Sequence, residues 1–109
     1  MKPAVWIGDS LAQVRGFPPN ARHETGLQLR MVQLEEAPSD WKPMPVVGLG
    51  VNEIRVRAGG AFRLIYMAKF AEAIYVLHAF QKKSQKTAHR DIELARRRYR
   101  ALVRERSIR

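Results

Sequence analysis

The stretch that decides the fold is AIYVLHAFQKKSQK, from Ala73 to Lys86. Its first eight residues are largely apolar and rich in Ile, Tyr, Val and Phe, which is typical of a strand covered on both faces and central in its sheet. Basic and amide side chains follow directly. Because rigid strand ends commonly hold ligands, this cationic cluster favours an anionic partner. The alternative is that the lysines only keep a strand end soluble.

Two further strands precede this one, Val51 to Arg57 and Ala61 to Lys69, and the loop between them sets their register. A two-residue turn on Gly59-Gly60 mixes charged and apolar side chains on each face. A three-residue loop from Ala58 to Gly60, with a glycine in the left-handed conformation, gives two coherent faces. The sequence therefore predicts the three-residue loop.

In that register one face of the hairpin carries three arginines. Arg55 lies opposite Arg63, with Arg57 on the same face. The other face is apolar and consists of Ile54, Val56, Phe62, Leu64 and Tyr66. Two arginines directly opposite each other repel unless an anion lies between them. The register therefore implies a bound anion.

The side on which the lysines lie depends on the turn around Phe70 to Glu72. A three-residue turn puts Gln81 and Lys83 on the arginine face, whereas a two-residue turn puts Lys82 there instead. Both turns remain open, and each places at least one lysine beside Arg63.

The N-terminal part predicts a short strand and two helices. Ala4 to Ile7 forms the strand, and Ser10 with Gln13 matches a capping box that starts a short helix. A longer helix runs from Pro19 or Asn20 to about Glu36. Residues 37 to 50 contain three prolines and two glycines, which predicts a loop.

The longer helix has a predicted core-facing stripe at Leu27, Met31 and Leu34, which recur at helical spacing. Gly26 lies inside this helix, where glycine costs about 1 kcal/mol relative to alanine. A close approach to another element is a plausible reason for a glycine at this position.

A basic helix ends the chain, capped by Thr87. Its apolar face consists of Ile92, Ala95, Tyr99 and Leu102, and arginines cover the remainder. This density of arginine favours phosphate contact over a merely solvated face. The predicted fold is α+β: a small antiparallel sheet of about four strands packed against two N-terminal helices, with a basic C-terminal helix, forming a single domain over residues 1–109.

The charge distribution points to a polyanion. The net charge is +10, and residues 1–50 hold five basic and five acidic side chains, so all the excess lies in residues 51–109. Nucleic acid fits this asymmetry better than a membrane, because no segment is long and apolar enough to insert. An acidic protein fits equally well. The chain has no cysteine and no signal-peptide pattern, so we expect a cytoplasmic protein with no membrane partner.

The residues also limit the chemistry. His23, His78 and His89 are scattered and form no metal-ligand pattern, so we expect neither a metal nor another cofactor. Clustered lysines and arginines can still cleave RNA. The ribose 2′-hydroxyl lies next to the scissile phosphate, cations stabilise the transition-state charge, and neighbouring cations depress a lysine pKa so that it can act as a base.

The sequence resembles the RelE/ParE superfamily of toxins, in particular its phage-derived, HigB-type branch. The similar segments are DWKPM (40–44), VNEIRVR (51–57), FRLIY (62–66), VLHAFQKKSQKT (76–87) and DIELARRR (91–98). The resemblance implies the toxin of a type II toxin-antitoxin system, a ribosome-dependent endoribonuclease that cuts mRNA. It also implies two partners, mRNA on the ribosome and a cognate helix-turn-helix antitoxin.

The resemblance implies four catalytic positions. Arg63 and Lys83 would stabilise transition-state charge, Arg55 or Lys83 would be the general base, and His89 lies near where some relatives keep a tyrosine. This chain has no tyrosine between Tyr75 and Tyr99, which departs from that pattern. The predicted nucleic-acid-binding residues are Arg57, Gln81, Lys82, Lys86, Arg90 and Arg97.

Two other functions fit the same residues. One is a non-catalytic, phage-derived or gyrase-inhibiting binding module of the same fold. The other is a nonspecific binder of nucleic acid or acidic protein, whose affinity would fall steeply with salt.

Overall fold

The computed structural model describes residues 1–84 and 87–108, which form three helices and five strands. In chain order the elements are β1 (Ala4–Trp6), α1 (Ser10–Arg15), α2 (Pro19–Gln33), β2 (Trp41–Pro43), β3 (Val51–Arg57), β4 (Ala61–Met67), β5 (Ile74–Lys82) and α3 (His89–Ile108). In this part of the chain no helix is long and apolar enough to cross a bilayer.

The five strands form one mixed sheet in the order β1-β5-β4-β3-β2. The predicted α+β class, with two N-terminal helices and a basic C-terminal helix, is confirmed. The sheet has one strand more than expected, because Trp41–Pro43 pairs with β3 inside the segment predicted to be a loop. It is also not purely antiparallel. β1 runs parallel to β5. A parallel pair needs a long connection, and the chain between these two strands includes α1 and α2.

The β3–β4 hairpin has the predicted three-residue loop. Arg57 pairs with Ala61 and Arg55 pairs with Arg63. Gly59 has φ +71°, the left-handed conformation that such a loop requires. The predicted apolar face is confirmed, because Ile54, Val56, Phe62, Leu64 and Tyr66 are all buried in one core cluster.

A one-residue irregularity in β5 decides where the lysines lie. Beside the β4–β5 turn, Met67 pairs with Tyr75 and Tyr66 with Val76, the register of a three-residue turn. The register then shifts, and Ala61 pairs with Lys82. A bulge leaves one residue unpaired and reverses the face of every residue after it. Lys82 therefore shares a face with the arginines, the outcome expected for the two-residue turn.

The sheet separates two hydrophobic clusters. One lies under α1 and α2, and the other lies under α3 and the segment after β2. The predicted stripe of α2 is wrong: Leu27 and Leu34 are each 46% exposed, whereas Ala21 and Gln28 are buried. A second set of positions at the same helical period faces the sheet. Gln28 tolerates burial because its side chain hydrogen-bonds the backbone N–H of Ser39 and the Glu24 carboxylate.

The N-cap of helix α1 lies one residue earlier than the sequence predicted. Asp9 is the N-cap, and its carboxylate accepts a hydrogen bond from the Gln13 amide (3.1 Å). Ser10 is buried, and its hydroxyl donates to the Val76 carbonyl (3.2 Å). The predicted Ser10 capping box is therefore wrong, because tertiary contact with β5 engages this hydroxyl.

The predicted apolar face of α3 is confirmed, and polar contacts add to it. Ala95 and Leu102 are buried against the sheet. Arg98 donates to the Leu77 carbonyl (2.9 Å) and pairs with Asp9 (2.7 Å), which lowers the pKa of that carboxyl. A Cβ at Gly48 would lie 2.5 Å from the Tyr99 ring of this helix, so only glycine fits there.

We expect Gly26→Ala to stabilise the protein by about 0.5–1 kcal/mol. The close approach predicted for Gly26 does not occur, since a Cβ added there meets nothing within 4 Å. The methyl group therefore restricts the unfolded chain without a clash. Urea denaturation measures the change, and Gly48→Ala is the matched control, which should destabilise. A destabilised Gly26→Ala variant would contradict this account of the helix.

Candidate nucleic-acid interface

Three adjacent strands bring charged side chains to one face of the sheet, near the β3–β4 loop. Residues directly opposite each other on neighbouring strands share a face. The pairs Arg57–Ala61 and Ala61–Lys82 form one row, and Arg55, Arg63 and Phe80 form the next. We call this surface the arginine face, and its basic members are Lys42, Arg55, Arg57, Arg63 and Lys82.

Two of these arginines are paired with carboxylates of the protein itself. The Arg55 guanidinium donates from Nε (2.9 Å) and from a terminal nitrogen (2.7 Å) to one oxygen of Asp40. Arg63 is only 7% exposed, and its Nε lies 3.6 Å from the Glu53 carboxylate. Each of these two arginines thus has a carboxylate of the protein as its counter-ion, whereas the sequence predicted an external anion between them.

Glu53 is the buried charged residue of the arginine face that sequence reasoning missed. It is 1% exposed, and its Oε2 has no hydrogen-bond partner among the described residues. Burial raises the pKa of this carboxyl, while Arg63, Lys42, Arg55 and Lys82 oppose the rise. Burial likewise lowers the pKa of Arg63. The signal was available, because Glu53 lies two residues before Arg55 on one strand and so shares its face.

Other basic side chains differ from these two arginines. Within residues 1–84 and 87–108, no hydrogen bond or ion pair engages the side chains of Lys42, Arg57, Lys82, Lys83, Arg90 or Arg97. These side chains keep their hydrogen-bond donors for a ligand. The arginine face therefore combines two arginines that have internal carboxylate partners with the exposed Arg57 and the half-buried Lys82, which lie on the same row.

The remaining predicted residues lie around the end of β5. Gln81, Lys83, Arg90 and Arg97 line one groove of about 630 Å³ beside the arginine face. His89 lies apart from it. Its side chain is 87% exposed and 3.9 Å from the Glu93 carboxylate, and it does not line this groove. The prediction for Lys86 falls outside the described residues.

A second histidine makes stronger contacts than His89. His78 is 4% exposed, its Nε2 lies 2.8 Å from the Asp91 carboxylate, and its ring stacks on Phe80 with centroids 5.2 Å apart. His78 is therefore a hydrogen-bonded core histidine. Its Nδ1 has no partner in the described part of the chain. No group of three or more metal-ligating side chains occurs among the described residues.

The chain was compared with known proteins. The family model described as phage derived protein Gp49-like (DUF891) matches residues 12–100. This match covers the last four residues of α1, all of α2, β2 to β5 and the first twelve residues of α3. A search of curated proteins finds no match.

We expect Arg63→Ala to lower the free energy of unfolding by about 3–5 kcal/mol at neutral pH, because it leaves Glu53 buried and unpaired. Arg57→Ala is the control and should change stability by less than about 0.5 kcal/mol, since Arg57 is exposed and unpaired.

The same variant should show a pH signature in urea denaturation. The pKa of Glu53 is raised in the folded protein, so protonating it favours folding. The loss caused by Arg63→Ala should therefore shrink as the pH falls through the folded pKa of Glu53. A loss that is independent of pH, or equal to that of Arg57→Ala, would show that the pair does not hold Glu53.

Proposed function

Because the chain belongs to the phage derived protein Gp49-like family, a RelE-related, toxin-like family of type II toxin-antitoxin systems, we propose that it is a toxin that cleaves mRNA on the ribosome. Its other proposed partner is a helix-turn-helix antitoxin. The proposed site of action is the cytoplasm, where the ribosome is found.

The observation that supports this proposal is the convergence of cations from three adjacent strands on the arginine face. Arg57 and Lys82 lie in one cross-strand row, about 10 Å apart across two strand spacings. Arg63 lies on the strand between them. A single phosphodiester group and its neighbours fit that spacing, and arginine and lysine are the residues that bind phosphate.

The proposed reaction is attack of the ribose 2′-oxygen on phosphorus. The O–P bond to the 5′-oxygen breaks, leaving a 2′,3′-cyclic phosphate and a 5′-hydroxyl, so one proton leaves the 2′-hydroxyl and one reaches the 5′-oxygen. DNA lacks the 2′-hydroxyl and would not react. Stabilising the extra charge on phosphorus is the task for which clustered cations are suited.

The residue roles follow from which side chains are accessible. Lys82 pairs with Ala61 at the last position of β5 and Lys83 follows it, and both side chains would contact the scissile phosphate. Arg63 is buried and held by Glu53, so it would act from within the sheet as a fixed positive charge. Arg55 or Lys83 would take the 2′-hydroxyl proton. The role of His89 in proton transfer stays a prediction, and His89→Ala tests it.

The test replaces accessible cations and leaves the buried pair intact. We expect Lys82→Ala combined with Lys83→Ala to abolish the growth arrest caused by expression and to reduce mRNA cleavage on ribosomes by about 10²–10³-fold, the usual cost of losing a transition-state donor. Primer extension on ribosome-bound mRNA measures cleavage, and circular dichroism checks folding.

The matched control is Arg15→Ala combined with Arg30→Ala, which removes two exposed charges from α1 and α2 on the opposite side of the sheet. This control should retain full toxicity. Equal loss in both double variants would indicate a nonspecific charge effect. Growth arrest with a DNA damage response and uncut mRNA would indicate gyrase inhibition instead, and no arrest by the wild type would indicate a non-catalytic module.

A further inference from the structure

In the described part of the chain, no strand pairs with the outer edge of the second half of β5. β1 pairs with β5 only at Ile74, Tyr75 and Val76. The next carbonyl, that of Leu77, accepts a hydrogen bond from Arg98. Beyond this point the edge of β5 faces a groove whose walls are α1 and the first two turns of α3.

The groove has a volume of about 630 Å³. Gln13 and Gly16 of α1 line one wall, and Arg90 and Arg97 of α3 line the other. His78 and Phe80 form part of the floor, with Gln81 and Lys83 at the end of β5. Such a volume lies within the range of small-molecule and nucleotide sites.

The charges in the groove do not cancel. Its two carboxylates are already paired, Asp9 with Arg98 (2.7 Å) and Asp91 with His78 (2.8 Å). Its three cations, Lys83, Arg90 and Arg97, have no partner in residues 1–84 or 87–108. Even with the Asp91 carboxylate counted against them, these cations leave the groove with an excess of positive charge, which concentrates a positive potential between low-dielectric walls.

The spacing of the cations fits a chain of phosphates better than one small anion. Arg90 and Arg97 are seven residues apart on α3, which places them on the same side of the helix and about 10 Å apart. Lys83 supplies a third charge from the end of β5. A ligand that meets all three must be extended and carry several negative charges.

The groove also continues into the arginine face. A smaller cavity of about 200 Å³ is lined by Lys82 and Lys83 together with Arg90. Because of the bulge in β5, Lys82 lies on the arginine face, whereas Lys83 lines the groove. The two lysines thus form a cationic connection around the end of β5.

We propose that this groove binds the single-stranded RNA that flanks the scissile phosphate, with Arg90 and Arg97 as phosphate ligands and Lys83 at the junction with the arginine face. The inference rests on the proposed function for the identity of the polymer. An acidic peptide added to the β5 edge would use the same cations, but the connection to the arginine face favours RNA, since one polyanion can then engage both surfaces.

The test measures binding without cleavage, so that it does not depend on catalysis. The probe is a fluorescein-labelled 12-nucleotide RNA carrying 2′-O-methyl groups, which cannot be cut, and anisotropy is recorded from 50 to 200 mM salt. We expect Arg90→Ala combined with Arg97→Ala to weaken binding roughly tenfold at the lowest salt concentration. The slope of log K against log salt should become shallower by about 1.4, because two phosphate contacts are lost.

The control is Arg100→Ala combined with Arg104→Ala, which removes the same charge from exposed positions on the same helix that do not line the groove. It should bind the probe as the wild type does. Equal weakening in both double variants would overturn the inference. So would an Arg90/Arg97 variant that binds RNA normally but loses affinity for a polyglutamate peptide, which would identify a protein-docking site.

The two proposals can fail separately. If the wild type binds the probe through Arg90 and Arg97 but does not cut unmodified mRNA on ribosomes, the groove stands and the nuclease function fails. If mRNA is cut while the Arg90/Arg97 variant binds the probe as tightly as its control, the nuclease function stands and the groove assignment fails.

Discussion

The one-residue shift between β4 and β5 is the constraint on which the charged surface depends. Before the shift, Tyr66 pairs with Val76, and after it Ile65 pairs with His78. Had the first register continued, Gln81 and Lys83 would lie on the arginine face. The shift instead brings Lys82 to that face and leaves Lys83 beside the groove, so that the end of β5 supplies cations to both surfaces.

A buried carboxylate makes the arginine face compatible with a stable sheet. Two opposed arginines repel, and burial of Arg63 adds a desolvation cost. Glu53 offsets both from within the sheet, and Asp40 does the same for Arg55 at its edge. The paired arginines and the unpaired cations therefore differ in what they can contribute. The paired arginines set the shape and field of the face, while the unpaired cations have donors left for a phosphate group.

Local patterns predicted the β-hairpin and the faces of α3 correctly, but not the face of α2. The left-handed Gly59 and the alternation from Ile54 to Arg57 fix the hairpin, because only one register keeps charge and core apart. In α2 two stripes share the helical period. The more apolar stripe, at Leu27 and Leu34, is exposed, because the buried one includes Gln28, whose hydrogen bond to Ser39 is a contact between segments.

In the candidate site too, some features were predicted from the sequence and others were visible only in the structure. Alternation along a strand predicted that Arg55, Arg57 and Arg63 share a face, since side chains two residues apart point to the same side. The internal partners Asp40 and Glu53, the pairing of His78 with Asp91 and the exposure of His89 all depend on elements that meet only when the chain folds. The sequence by itself therefore determined which side chains share a face on β3, β4 and α3. Only the tertiary structure decided which of those charges are neutralised internally, because a counter-ion is selected by distance in space and not by position along the chain.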